Sequence, residues 1–305
     1  MLRVRLLGGV ALEVDGRAAE APASLRLRSL LAFLAFHPGM QARSRLAARF
    51  WPEVLDASAR GSLRNALLEL RRALAPDAER YLVTTRDAVG LGPEDELWVD
   101  VREFERATSE GRLGDALALG DEELLPELDD DWVFEAREAH THALAGLLER
   151  MAAEAEAEEE LDAAIEYARR LVSLDPLAED PARRLMRLLA AAGERAAALG
   201  VYERLRERLR TELRMAPSAA TRELAEGVQA GSPAAAGEGP VAPSSGVVAV
   251  LFTDIVRSAE LVQELGEAAS DRLTHSRLEQ VREVALAHGG DVKSFADGLS
   301  AVFQS

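Results

Sequence analysis

Between Ala57 and Leu74, three arginines, Arg60, Arg64 and Arg71, fall at intervals of four and seven residues. At 3.6 residues per turn they share one broad polar face, with Ser62 and Asn65 beside them. Leu63, Leu67, Leu70 and Leu74 form an apolar stripe on the other side. Guanidinium groups suit phosphates and the paired acceptors of guanine, and a carboxamide suits adenine. A helix of this kind is equipped to read the major groove of DNA. An ordinary amphipathic helix with a solvated arginine face has the same spacing. A second set of residues lies near the other end of the chain. Asp254 stands near the end of the apolar run Val247–Val256, and Asp297 stands in an Asp297-Gly298 turn. Two carboxylates that converge with a backbone carbonyl suit Mg²⁺ or Mn²⁺ carrying a nucleoside triphosphate. Two aspartates in surface turns would look the same in sequence.

The elements expected to position the arginines fill residues 1–97. Val4, Leu6, Val10, Leu12 and Val14 alternate at period two and predict strands, with Asp15-Gly16 as the tight turn between strands. A helix is predicted over Leu25–His37, stopped by Pro38-Gly39. A short helix over Arg45–Phe50 is expected to take Ser44 as its cap and to end at Trp51-Pro52. The arginine-bearing helix follows from Ala57 to Leu74. Tyr81–Thr85 and Val89–Leu91 then flank Arg86-Asp87-Ala88 as a hairpin. Strands, three helices and a terminal hairpin describe a winged helix-turn-helix. In it the hairpin brings Arg86 to backbone or minor groove.

The charge distribution agrees with a division of labour. The 305 residues carry a formal charge of -17. Residues 1–92 contribute +5, residues 93–131 contribute -12, and the remainder is mildly acidic. A basic module followed by an acidic belt points to separate roles. Cysteine is absent, which excludes a disulfide scaffold, a thiol nucleophile and a Cys-ligated zinc site. No window approaches the apolar length of a membrane span, and the first residues lack the apolar core of a signal peptide. A cytoplasmic protein without membrane contact is expected.

Residues 98–228 read as almost wholly helical, over Trp132–Glu158, Glu160–Leu174, Pro181–Ala192, Arg195–Arg214 and Ser218–Ala230. Ala163, Ala164 and Tyr167 recur as Ala197, Ala198 and Tyr202, an offset of 34 or 35 residues. That offset is the period of a tetratricopeptide repeat, in which small residues let paired helices approach closely. A plain helical bundle is the alternative. Residues 229–246, rich in Gly, Pro, Ala and Ser, read as a flexible linker before 247–305.

The stretch from LRLRSLLAFLAFHPGM to SLRNALLELRRAL resembles the DNA-binding domain of the SARP family of bacterial transcriptional activators, an OmpR-like winged helix. Its Phe-Trp-Pro turn before an arginine-rich helix ending in LRRAL carries the likeness. ELLPELDDDWVFEAREAHTHAL and the helices after it resemble the bacterial transcriptional activator domain that follows the winged helix in that family. The resemblance implies binding to double-stranded promoter DNA without a cofactor, usually as a homodimer on direct repeats. It also implies contact with RNA polymerase through the helical domain. A protein-interaction scaffold without DNA affinity is the rival that the helical repeats alone would allow.

LFTDIVRSAELVQELG followed by HGGDVKSFADGLSAVF resembles the opening of a class III adenylate/guanylate cyclase domain. The resemblance implies metal contacts at Asp254, Asp297 and the Ile255 carbonyl, and an adenine-reading role for Lys293, the chain's single lysine. Mg²⁺ or Mn²⁺ is expected only with a complete cyclase domain. Arg257 and Ala296 stand where many members have Gly, and the family's transition-state Asn and Arg would lie beyond Ser305. The expected whole is a mostly α multidomain chain: a winged helix, a TPR-like domain and a partial α+β, ferredoxin-like cyclase segment. A cyclase making cAMP from ATP is the alternative function for a longer parent of which this chain is a fragment. Residues 247–305 are expected to be inactive. Incubation with ATP and Mn²⁺ should give no cAMP, and a yield abolished by Asp254→Ala would reverse that expectation.

Overall fold

The computed structural model of the protein describes residues 1–231, 248–254, 282, 291–294 and 298–304. The chain divides into two compact units, Met1–Gly237 and Glu238–Ser305.

The first unit opens with β1 (Leu2–Arg5), β2 (Ala11–Val14) and β3 (Arg17–Ala19). Leu2 and Val4 point inward and the residues between them outward, the period-two pattern of a half-buried strand. Asp15 and Gly16 both have positive φ, the conformation that joins β2 to β3 in a two-residue hairpin. Helices α1 (Leu25–Phe36), α2 (Arg43–Phe50) and α3 (Asp56–Ala73) follow, with the two-residue strand β4 (Gln41–Ala42) before α2. The short α4 (Ala78–Tyr81) leads into the hairpin of β5 (Leu82–Thr84) and β6 (Ala88–Leu91). β6 also pairs with β4, so the hairpin belongs to a three-stranded sheet ordered β4-β6-β5. A Cβ on Gly90 of β6 would sit 2.7 Å from the Gly39 carbonyl oxygen, so this close backbone approach requires glycine. Ser44 does not cap α2. The helix begins at Arg43, because β4 pairing and an Arg43 N–H bond to the Asp87 carbonyl (2.8 Å) turn the chain earlier.

β7 (Leu97–Val99) returns to the first sheet and pairs parallel with β1, giving the order β3-β2-β1-β7. The boundary drawn at residue 97 in the sequence falls inside this strand. The acidic belt then forms α5 (Asp100–Ser109) and α6 (Leu113–Gly120), neither of which the periodicity above resolves. Beyond them come α7 (Asp131–Ala157), α8 (Leu161–Leu174), α9 (Glu179–Ala191), α10 (Arg195–Arg208) and α11 (Ala219–Ala230), each packed on the next from α7 to α11. Ala164 of α8 and Ala198 of α10 are fully buried, where small side chains let helices approach. One π-helical turn, Leu209–Leu213, ends α10 before the residue expected, Arg214. Ser218 caps α11, accepting from Thr221 N–H. Among the described residues, no helix is long and apolar enough to cross a membrane.

The first core does not stop at the winged-helix elements. Leu124, Leu125, Leu128, Trp132, Val133 and Ala136 join the cluster built by α1, α2, α3 and the strands. Leu125 N–H donates to the Leu6 carbonyl and Gly8 N–H to the Glu123 carbonyl, both at 2.8 Å, so the belt pairs with the chain just after β1. Arg137 of α7 holds the same turn by donating to the carbonyls of Leu124 (2.8 Å), Leu125 and Leu128 (2.7 Å). Trp132 Nε1–H reaches Ser29 Oγ of α1 at 3.2 Å.

Asp100, 4% exposed, fastens the two parts together. Its carboxylate accepts from the backbone N–H groups of Leu6 (2.9 Å to each oxygen), Leu7 (3.0 Å) and Val101 (2.8 Å). Burial pushes the carboxyl above its ordinary range, against the opposing effect of these three donors.

The second unit contributes β8 (Val248–Asp254), β9 (Asp291–Ser294) and β10 (Gly298–Gln304), an antiparallel sheet with β10 in the middle. Asp254 pairs with Gly298 and Lys293 with Ser300. Ile255 and Asp297 lie outside the described residues.

Asp100→Asn turns an amide N–H₂ toward at least one backbone donor and leaves that donor unsatisfied. A loss of about 1–3 kcal/mol is expected. It should be read as a lower denaturant midpoint at unchanged slope.

Candidate nucleic-acid interface

α3 buries Ala59, Leu63, Ala66, Leu67 and Leu70 against α1 and α2 and leaves its opposite face to solvent. No side chain caps its first turn. Arg60 is exposed and turns back on its own helix, its Nε–H donating to the Asp56 carbonyl at 3.2 Å. Arg64 and Asn65 are exposed, and neither has a hydrogen-bond or ion-pair partner among the described residues. Ser62 is half-buried at the edge of this face. Arg72 is committed to Glu69.

The expected hairpin is present, and its turn, Thr85–Asp87, is held firmly. Thr85 N–H donates to the Ala88 carbonyl (2.9 Å), and Ala88 N–H donates to Thr85 Oγ1 (3.0 Å). Arg43 of α2 donates from its guanidinium to the Thr85 carbonyl at 3.1 Å. Arg86 stands exposed in the turn, without a partner among the described residues.

Arg71 differs from the others. Its Nη2–H donates to Thr84 Oγ1 of β5 at 2.8 Å. The guanidinium expected on a phosphate thus bridges α3 to the hairpin, which fixes the angle between the two surfaces. The structure therefore brings Arg60, Ser62, Arg64 and Asn65 together on α3, ties Arg71 to the wing and sets Arg86 on the wing itself.

One surface group escaped the sequence reading. Leu68 is 49% exposed on the same outer face as Arg64 and Asn65. The apolar stripe 63–67–70–74 absorbs the neighbouring leucines, and Leu68 lies one residue off it. An exposed leucine between polar groups on this helix was the available signal. Such a group can meet a thymine methyl in a major groove. Among the described residues no three carboxylate or imidazole groups converge as a metal site.

Residues 99–229 match the family model of the bacterial transcriptional activator domain, in agreement with the resemblance seen over 98–228. The chain is also similar in fold to the solved structure of Mycobacterium tuberculosis EmbR in complex with a low affinity phosphopeptide. That likeness has a TM-score of 0.55 and 22% identity, over 77% of this chain and 68% of the other. No curated protein matches the chain. The domain match supports a transcriptional activator, and the structural likeness supports its fold.

Thr84→Val removes the acceptor of Arg71 with little change in shape. Amide exchange across 82–91 should accelerate and stability should fall by about 1 kcal/mol. Unchanged exchange would show that the bond does not hold the wing.

Proposed function

We propose that this chain is a sequence-specific, DNA-binding transcriptional activator of the SARP type. The observation that carries the reading is the exposed face of Arg64 and Asn65 on α3, without a partner among the described residues, in a winged-helix arrangement directly followed by an activator-domain match. In this reading α3 enters the major groove. Arg64 and Arg60 reach guanine edges or phosphates, Asn65 reaches adenine, and Ser62 contacts the backbone. Arg86 follows the phosphates from the wing, and Arg71 sets the wing's angle rather than lying on the DNA. The helical part supplies self-association on direct repeats and the contact with RNA polymerase, and the protein works in the cytoplasm without a cofactor.

For 247–305 the reading we propose is a nucleotidyl cyclase-like fold. What supports it is the β8–β10 register, which sets Asp254 opposite Gly298, the residue after Asp297.

Arg64→Ala should weaken specific promoter binding about tenfold or more in a gel shift, in line with about 1–3 kcal/mol for a base-contacting arginine. Arg86→Ala should weaken specific and non-specific DNA alike and make binding less steep in salt. Unchanged affinity in both Arg60→Ala and Arg64→Ala would remove α3 from the interface.

A further inference from the structure

A cleft of about 430 Å³ opens in the first unit, where the end of α1 and one face of α2 meet the start of α7. Its floor is aromatic. Phe33 and His37 stack with centroids 4.0 Å apart, and Trp132 stands edge-on to Phe33 at 5.3 Å. Phe36 closes the same wall, 6.0 Å from Trp132. Trp132, 5% exposed, spends its only donor on Ser29, so what it presents to the cleft is carbon. Along the rim, Arg45 and Arg49 lie four residues apart on α2 and thus on one face of that helix. The Arg49 guanidinium carbon sits 5.2 Å from the Phe33 ring centroid. Neither arginine has a hydrogen-bond or ion-pair partner among the described residues. Glu135 is the carboxylate on the opposite rim, and it too has no ion-pair partner there.

His37 adds a directional group. Its Nδ1 lies 3.0 Å from the Phe33 carbonyl oxygen, which requires a proton on Nδ1. Burial holds the imidazole below its ordinary pKa, opposed by this carbonyl and assisted by the charges of Arg49 and Arg102. With its proton on Nδ1, the neutral form of the ring has Nε2 as its acceptor, on a residue that lines the cleft.

We propose that this cleft binds a small aromatic carboxylate, its ring against Phe33, Phe36 and Trp132 and its carboxylate on Arg45 and Arg49. The volume falls in the range of small-molecule sites, which combine an apolar lining with a few placed polar groups. Two arginines beside an aromatic wall give both the charge and the bidentate geometry that a carboxylate takes. Glu135 disfavours a second anionic group on the far side. Occupancy would bridge α2 to α7.

The inference does not depend on DNA binding, and titration calorimetry tests it directly on the full chain. The probes are 2-naphthoate and its neutral analogue, naphthalene-2-carboxamide. Naphthoate should bind with one-to-one stoichiometry, and the carboxamide at least tenfold more weakly. The exposed pair Arg45→Ala/Arg49→Ala should weaken naphthoate at least tenfold and leave the carboxamide unchanged. Ala139→Trp, which fills the cleft from its exposed edge, should abolish both. The proposal fails if naphthoate and carboxamide bind equally, if the double variant keeps wild-type affinity, or if millimolar naphthoate gives no heat.

Discussion

The buried carboxylate of Asp100 is the constraint around which the first unit is arranged. A charge in that position is costly unless its oxygens are fully occupied, and the three backbone donors of Leu6, Leu7 and Val101 occupy them. Those donors come from the residues just after β1 and the first turn of α5, so satisfying one side chain fixes where the helical part begins. It also keeps β7 beside β1, because Asp100 follows Val99 directly. A strand pairing that closes more than 90 residues of chain thus ends on a polar clamp of defined geometry.

A second layer of the junction is apolar. Trp132 packs edge-on to Phe33 and tilted against Phe36, and the leucines of the acidic belt share a core with the first sheet and α1 to α3. The belt is therefore two-sided, with leucines at 124, 125 and 128 inside and, Asp100 apart, most of its carboxylates toward solvent. Most of its charge of -12 lies on the solvated side of a packed segment, and part of it is spent locally, as Glu103 pairs with Arg106 and Arg112.

The arginines divide by what surrounds them. Arg137 and Arg71 are consumed in holding backbone and wing, and Arg72 and Arg112 pair with nearby carboxylates. Among the described residues, Arg64 and Arg86 on α3 and the hairpin turn, and Arg45 and Arg49 on α2, have no hydrogen-bond or ion-pair partner. Free donors on a rigid element can be engaged by an outside anion without first breaking an internal bond, and this places the exposed face of α3 and the α2 cleft in the same physical class.

Read alone, the amino-acid sequence determined the elements whose apolar residues repeat over many turns. α3 and the helices from α7 to α11 were legible because their leucines and alanines recur at helical spacing, and the β2–β3 hairpin because Asp15-Gly16 suits few other conformations. The face of α3 that carries Arg60, Arg64 and Asn65 was legible for the same reason. Tertiary structure alone decided the rest. α5 repeats Val101, Phe104 and Ala107 at helical spacing, but over fewer than three turns and among acidic neighbours, whereas β7 is three residues long with a partner near the other end of the unit, so no local pattern marks that strand. Arg71 shares its spacing with Arg64, and only the fold brings Thr84 to it. Spacing records which face a side chain occupies. Whether a charge on that face is free or already bound depends on what the rest of the chain places opposite it.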